Sequence, residues 1–388
     1  MILVILAGIA AGTITGLTPG LHINLINTAI MGLAASQDAI SLCSFILAMS
    51  ITHTFVDAIP SIYLGAPDAD HALSVLPGHR LLLQGQGHTA VLMTLVGSLG
   101  ALISGVLLLP VAIFIIQATY TYIQHTIPYV LCTVALFMIA RASNWRKRFA
   151  ATSIFIFSGA IGCIVFALPY QKQPLFPLLS GLFGVSILLT SLRSDAGIPQ
   201  QRPATHLEVH PACIISSVGM GFVAGFFPGF GASQAAIIAS QWLKNVEATG
   251  FLVLTGGLNT ANMIFSLATA YAIGKARNGS IVAILDILQA IDLRFLGLCA
   301  CIALMAGGCA ALTSMYLSRN ISHLLPRLPY RALLAGIIIA ITLMTCILGG
   351  WIGLMILITA TSIGILAADV GKNYCIGCLM IPVILYLI

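Results

Sequence analysis

From Ala90 to Ala118 the chain runs for 29 residues without a Lys, Arg, Asp or Glu, and comparable apolar runs recur along its length. A helix needs about 20 apolar residues to cross the roughly 30 Å hydrocarbon core of a bilayer. On that ruler the candidate spans are 1–35, 39–63, 90–118, 127–140, 149–169, 175–192, 212–243, 250–273, 295–317, 332–349, 351–369 and 374–388. The runs are continuous and not alternating, which predicts helices and argues against barrel strands. Charged residues are 7% of the 388, against roughly 25% in soluble proteins. Sixteen basic and ten acidic side chains cannot cover the water-facing surface of a globule this size. Soluble enzyme, nucleic-acid binder and disordered scaffold are excluded on that ground. The net charge of +6 sits in short loops, without the clustered basic face that nucleic acid requires. The sequence predicts an all-α polytopic membrane protein, with about 10–12 transmembrane segments and the lipid bilayer as its solvent.

The cysteines fit that reading. Cys43, Cys132, Cys163, Cys301 and Cys346 lie inside apolar runs, where cysteine behaves as a small hydrophobe. Cys375 and Cys378 form a lone CxxC, with no second pair to complete a zinc site. Asp68, Asp70, His71 and His79 follow no zinc spacing and read as a surface loop. The apolar start, Ile2 to Ile14, lacks a basic n-region and reads as a first membrane segment.

Arg193 to Pro211 is the longest hydrophilic stretch, and it lies mid-chain. A repeat flanks it. Gly16-Leu-Thr-Pro19-Gly20 aligns with Gly225-Phe-Phe-Pro228-Gly229, 209 residues further on. The same ungapped register pairs Gly12 with Gly221, Asp38 with Glu247, Gly65 with Gly274 and Leu76 with Leu285. The expected organisation is repeat one over 1–192, a hydrophilic linker over 193–211 and repeat two over 212–388. Arg141, Arg146, Lys147 and Arg148 crowd a late loop of the first repeat, whereas Arg319, Arg327 and Arg331 crowd an earlier one of the second. Short basic loops prefer the cytoplasm, so this swap predicts that the repeats are inverted. Six candidate crossings per half would make the repeats parallel, so inversion needs one re-entrant segment.

The paired Pro-Gly sequences are the most informative feature. Proline removes a backbone donor and glycine admits conformations closed to other residues, so each pair should break a helix within the membrane. Broken backbone at that depth survives only where it is buried or lines a cavity. A helix restarting there offers free N–H groups and the positive end of its dipole to an anion. Breaks at matching places in two halves point to a midplane transport site. The substrate-binding candidates are Thr18, Gly20, His22 and Asn24 in the first half, and Gly229, Gly231, Ser233 and Gln234 in the second. Asn259 and Asn262 come from the next segment of the second half, and Lys275 and Arg277 follow it with positive charge suited to an anion. His53 and Asp57 stand four apart in an apolar segment. An ionisable pair there is a functional site by default, so both are candidates for ion coupling.

These motifs carry a resemblance. Gly12-x3-Gly16-x2-Pro19-Gly20 resembles the opening of the large permease subunit of tripartite tricarboxylate transporters. Gly65-Ala-Pro67-Asp68 through Leu76-Pro77-Gly78, Gln84-Gly85-Gln86-Gly87 and Gly97-Ser98-Leu99-Gly100 resemble that family's next stretch. Pro228-Gly229-Phe-Gly231 and Gly257-Leu-Asn259-Thr-Ala-Asn262 resemble its second-repeat motifs. The chain departs from the family where Gly65-Ala-Pro67-Asp68 replaces Asn-Thr-Pro-Gly and where Pro77-Gly78 replaces Asp-Gly, and it resembles the compact archaeal branch. The resemblance implies secondary active uptake of a small carboxylate-bearing anion at the cell (plasma or inner) membrane, coupled to Na⁺ or H⁺ and needing no other cofactor. It also implies a small membrane subunit and a solute-binding protein as partners. A flippase for a polyprenyl-phosphate or similar lipid headgroup is the alternative, since the same helix N-termini suit a phosphate. A membrane-embedded enzyme is a remoter one, because no nucleophile–base or metal-ligand motif is present. The expectation is a transporter and not an enzyme.

Overall fold

In the computed structural model the described residues are 1–18, 38–63, 75–123, 126–168, 175–192, 199–202, 210–227, 231–243, 246–276, 278–325 and 329–388. Among them the chain is helical throughout and has no strand. In the first half, α1 spans Ile2–Leu17, α2 Ala39–Val56, α3 Ala58–Tyr63, α4 Val75–Leu83, α5 Gly87–Ile123, α6 Ile127–Ala140 and α7 Trp145–Ala167. It closes with α8 (Leu175–Leu179), a π-helical turn over Ser180–Val185 and α9 (Ser186–Leu192). In the second half, α10 spans Pro211–Phe226, α11 Ala232–Trp242, α12 Ala248–Ile273, α13 Gly279–Leu288, α14 Leu293–Leu324 and α15 Tyr330–Leu366. A 3₁₀ turn over Lys372–Ile376 leads into α16, Gly377–Leu387.

Six helical stretches among the described residues are long and apolar enough to cross a membrane, including Ala39–Tyr63, Gly87–Tyr122 and Ala248–Ile273. The other expected crossings fall on shorter apolar helices such as Ile2–Leu17 and Pro211–Phe226. These are short because each stops ahead of a proline. The chain is a multi-pass, all-α membrane protein.

Burial sorts the helices. In α12, 94% of the most apolar window is buried, against 22% for the window within Leu334–Leu366. Being buried on every side, α12 is an interior helix, while Ile347, Trp351 and Met355 of α15 are exposed as a lipid-facing surface is. The interior pair is α2 and α12. Helix α1 packs on α2 and α10 packs on α12, while α5 packs on α12 and α14 on α2.

Small residues permit these approaches. An ideal Cβ at Gly97 of α5 would lie 1.9 Å from the Val253 carbonyl oxygen, so α5 and α12 touch backbone to backbone. Ser98 closes the same crossing by donating to the Gly256 carbonyl at 3.0 Å. Without a hydrophobic drive between helices in lipid, such close contacts and interhelical hydrogen bonds hold the bundle.

The two α1-like units share their register. Helices α1 and α10 begin and end 209 residues apart, and α12 starts 209 residues after α2. A Cβ at Gly12 would meet Thr52 and one at Gly221 would meet Ala261; Gly16 faces Val56 and Asp57 N, and Gly225 faces Phe265 and Ser266 N. Every partner in the second set stands 209 residues after its counterpart. Asp38 and Glu247 occupy the N-cap positions of α2 and α12.

Some segments differ from their expected shape. Helix α5 runs through Pro110 for 37 residues, about 55 Å, and so extends well past a 30 Å core. The helix therefore runs past both ends of the expected span 90–118. His79, read from the sequence as part of a surface loop, is instead buried in helix α4. Asp68, Asp70 and His71 lie outside the described residues. Residues of the hydrophilic linker are tied to the first half: Arg202 N donates to the Gly85 carbonyl at 2.7 Å, and Gly87 N to Gln201 Oε1 at 2.8 Å. Cys375 and Cys378 are buried and free.

Helix α15 reverses at Gly350, whose φ of 56° and ψ of −149° lie outside the helical region. A Cβ on Gly353 would lie 3.1 Å from the Thr345 carbonyl oxygen, so the two arms fold back on each other. Residues near 330 and 366 thus share one end. Tyr374, just beyond that end, donates to the Met138 carbonyl at 3.4 Å, beside the loop carrying Arg141 to Arg148. Single cysteines at the exposed positions Ser143 and Asn320, placed in a background free of reactive thiols, are therefore expected to take an impermeant maleimide from the same side of the membrane. Labelling from opposite faces would contradict the inverted arrangement.

Candidate functional site

Both helices ahead of the Pro-Gly pairs stop where proline dictates. The residue before a proline is driven out of the helical region. Thr18 (φ −93°, ψ 106°) and Phe227 (φ −83°, ψ 127°) are both extended and cap α1 and α10. In the second half a new helix, α11, begins at Ala232, with the Gly231 carbonyl accepting from Ala235 N at 3.1 Å. Ser233 and Gln234 occupy its first turn. Gly20, His22, Asn24, Gly229 and Arg277 lie outside the described residues.

Beside the first break, α2 ends at Asp57. Pro60 lacks the N–H that the Val56 carbonyl would need, so the helix is interrupted and α3 restarts at Ala58. The interruption leaves His53 and Asp57 on one face, with His53 Nε2 at 4.0 Å from Asp57 Oδ2. Asn259 of α12 donates from Nδ2 to the same carboxylate oxygen at 3.2 Å. On the other side, His53 Nδ1 stands 3.0 Å from the Thr15 hydroxyl, which itself donates to the Gly12 carbonyl at 3.1 Å. With the threonine proton so used, its oxygen can accept from Nδ1–H, while Nε2 faces Asp57. Thr15, His53, Asp57 and Asn259 are all at most 6% exposed.

This chain runs from α1, one turn before the first break, through α2 to the interior helix of the second half. It can hold a carboxylate away from lipid, and it can move or bind a positive charge at that carboxylate. Asn262, one turn beyond Asn259, is also buried. Its backbone N and O border the spaces at Gly221 and Gly225, which ties it to α10. Two buried hydroxyls nearby in sequence, Thr52 Oγ1 and Ser266 Oγ, have no hydrogen-bond partner among the described residues. Ser266 is the 209-residue counterpart of Asp57.

The remaining candidates are placed apart. Lys275 follows Gly274, the left-handed cap of α12 (φ 65°), roughly 20 Å along the axis from Asn259. Its Nζ donates to Tyr120 Oη at 2.8 Å and lies 5.1 Å from that ring's centre. The Tyr120 ring meets Phe226 edge-on at 5.9 Å, one residue before the cap of α10. Lys275 therefore borders the second break and not the Asp57 cluster. Thr18 is half-buried, with its hydroxyl turned back to the Ile14 carbonyl at 2.8 Å. Thr15 was not among the sequence candidates, although Gly12, Thr15 and Gly16 form an i, i+3, i+4 stripe that marks the packed face of α1.

Among the described residues no three His, Cys, Asp or Glu side chains gather in a way that could hold a metal ion. Residues 2–375 match the family described as Tripartite tricarboxylate transporter TctA. An uncharacterized protein of Methanocaldococcus jannaschii is 30% identical over 286 residues, covering 72% of this chain and 70% of that one. No solved structure matches. With nearly its whole length matched, the chain belongs to the tripartite tricarboxylate transporter TctA family, a family of transporter permeases.

Proposed function

We propose that the chain is a secondary active permease for a small carboxylate-bearing anion, coupled to Na⁺ or H⁺, in the cell membrane. The observation that carries this reading is the buried Thr15–His53–Asp57–Asn259 chain, which joins a helix broken at Pro-Gly to the interior helix of the other half. A carboxylate at membrane depth costs at least about 2.5–3.5 kcal/mol on insertion scales. Its retention there calls for a cation or proton as partner, which is what coupling requires. The substrate's own carboxylates would meet the amide end of α11, with Gly229, Gly231, Ser233 and Gln234 on one side and Gly20, His22 and Asn24 on the other. Asn259 and Asn262 would serve as neutral donors between them, and Lys275 and Arg277 would draw the anion toward the second break. The common register of α1 with α10 and of α2 with α12 supports a two-repeat organisation over 1–192 and 212–388 with such a site between the repeats. The family name supports a small membrane subunit and a solute-binding protein as partners.

The test is uptake of radiolabelled citrate and smaller carboxylates into proteoliposomes under an imposed Na⁺ or proton gradient. The expected result is accumulation above equilibrium that an ionophore abolishes. Scrambling of a labelled lipid phosphate without solute uptake would replace this reading by the lipid-headgroup one.

A further inference from the structure

A cavity of about 590 Å³ opens between α4, α9 and the turn after α15, and no residue of the Asp57 cluster lines it. Its polar lining includes His79, Arg80, Gln84 and Lys372, and its apolar lining includes Leu83 and Ile187. Among the described residues no Asp or Glu lines it; Asp369, in the same turn, is exposed and outside it.

Lys372 is the unusual member. It is 7% exposed, yet its ammonium meets only neutral oxygens among the described residues: the Ser186 hydroxyl and, at 3.5 Å, the Leu182 carbonyl. Leu182 belongs to the π-helical turn, a distortion that recurs at functional sites. An ammonium carries three donors, so one remains for a further acceptor. A buried cation without a counter-charge is costly and is normally paired. Arg80 brings a second cation, exposed and without a partner among the described residues, to the same cavity.

We infer that this cavity is a second anion site, taking a carboxylate or phosphate group against Lys372 and Arg80, with an apolar remainder along Leu83 and Ile187. A free anion and a lipid headgroup share that chemistry. Thermal unfolding of the purified protein in phosphatidylcholine nanodiscs separates them. Inorganic phosphate or citrate is titrated at constant ionic strength, and phosphatidylglycerol is incorporated in a parallel series.

At least one probe is expected to raise the Tm of the wild type. Stabilisation by the added salts identifies a free anion, and stabilisation by phosphatidylglycerol alone identifies a headgroup. Arg80→Gln, at an exposed position, should fold normally and weaken the effective probe at least about tenfold. Lys372→Met should abolish the response, and Asp57→Asn should keep it. The inference is overturned if no probe stabilises the wild type. It is equally overturned if Arg80→Gln responds like wild type, since Lys372 is then a strut for the π-helical turn, or if Asp57→Asn alone removes the response.

Discussion

Asp57→Asn is expected to abolish gradient-driven accumulation while substrate exchange across the membrane partly survives. The substitution keeps the shape of the side chain and removes its charge. Asn259 still finds an oxygen to donate to, so the junction between the two halves keeps its hydrogen bond. What disappears is the charge proposed to bind a cation or proton. Charge-assisted contacts are worth roughly 1.5–3 kcal/mol, so the apparent affinity for the coupling ion should fall at least about tenfold. Counterflow and gradient-driven uptake are compared in the same proteoliposomes, with Tm of the purified variant as the control for folding. Undiminished accumulation by the Asn variant would remove Asp57 from the mechanism.

The parts of this architecture legible in the sequence are those set by backbone chemistry. Pro19 and Pro228 stop α1 and α10 one residue earlier, because proline restricts its predecessor whatever the tertiary context. The bare Gly349-Gly350 pair between two apolar runs marks the place where α15 reverses. His53 and Asp57 stood out because charge in an apolar run is costly. Features set by packing were not legible. Thr15 lies in an apolar run, and only the neighbouring α2 shows why its hydroxyl is needed. Pro110 gave no stop to α5, since a long helix packed on α12 tolerates one missing hydrogen bond. Nor did Lys372 carry any signal, because nothing local reveals that a π-helical turn 190 residues away supplies its acceptor.

The paired breaks are tested most directly by Gly229→Leu with its counterpart Gly20→Leu. Phe227 is extended and α11 opens at Ala232, so α10 and α11 are separate helices. A glycine after proline can adopt torsions closed to other residues, and under the proposed mechanism it would leave room for an anion. A leucine would restrict the backbone and fill the space. Initial uptake of a labelled carboxylate by each variant is measured in proteoliposomes against wild type, with matched insertion and Tm. The account predicts no accumulation above background for either variant. Wild-type rates in both would contradict it, because the breaks would then be packing kinks and the substrate site would lie elsewhere.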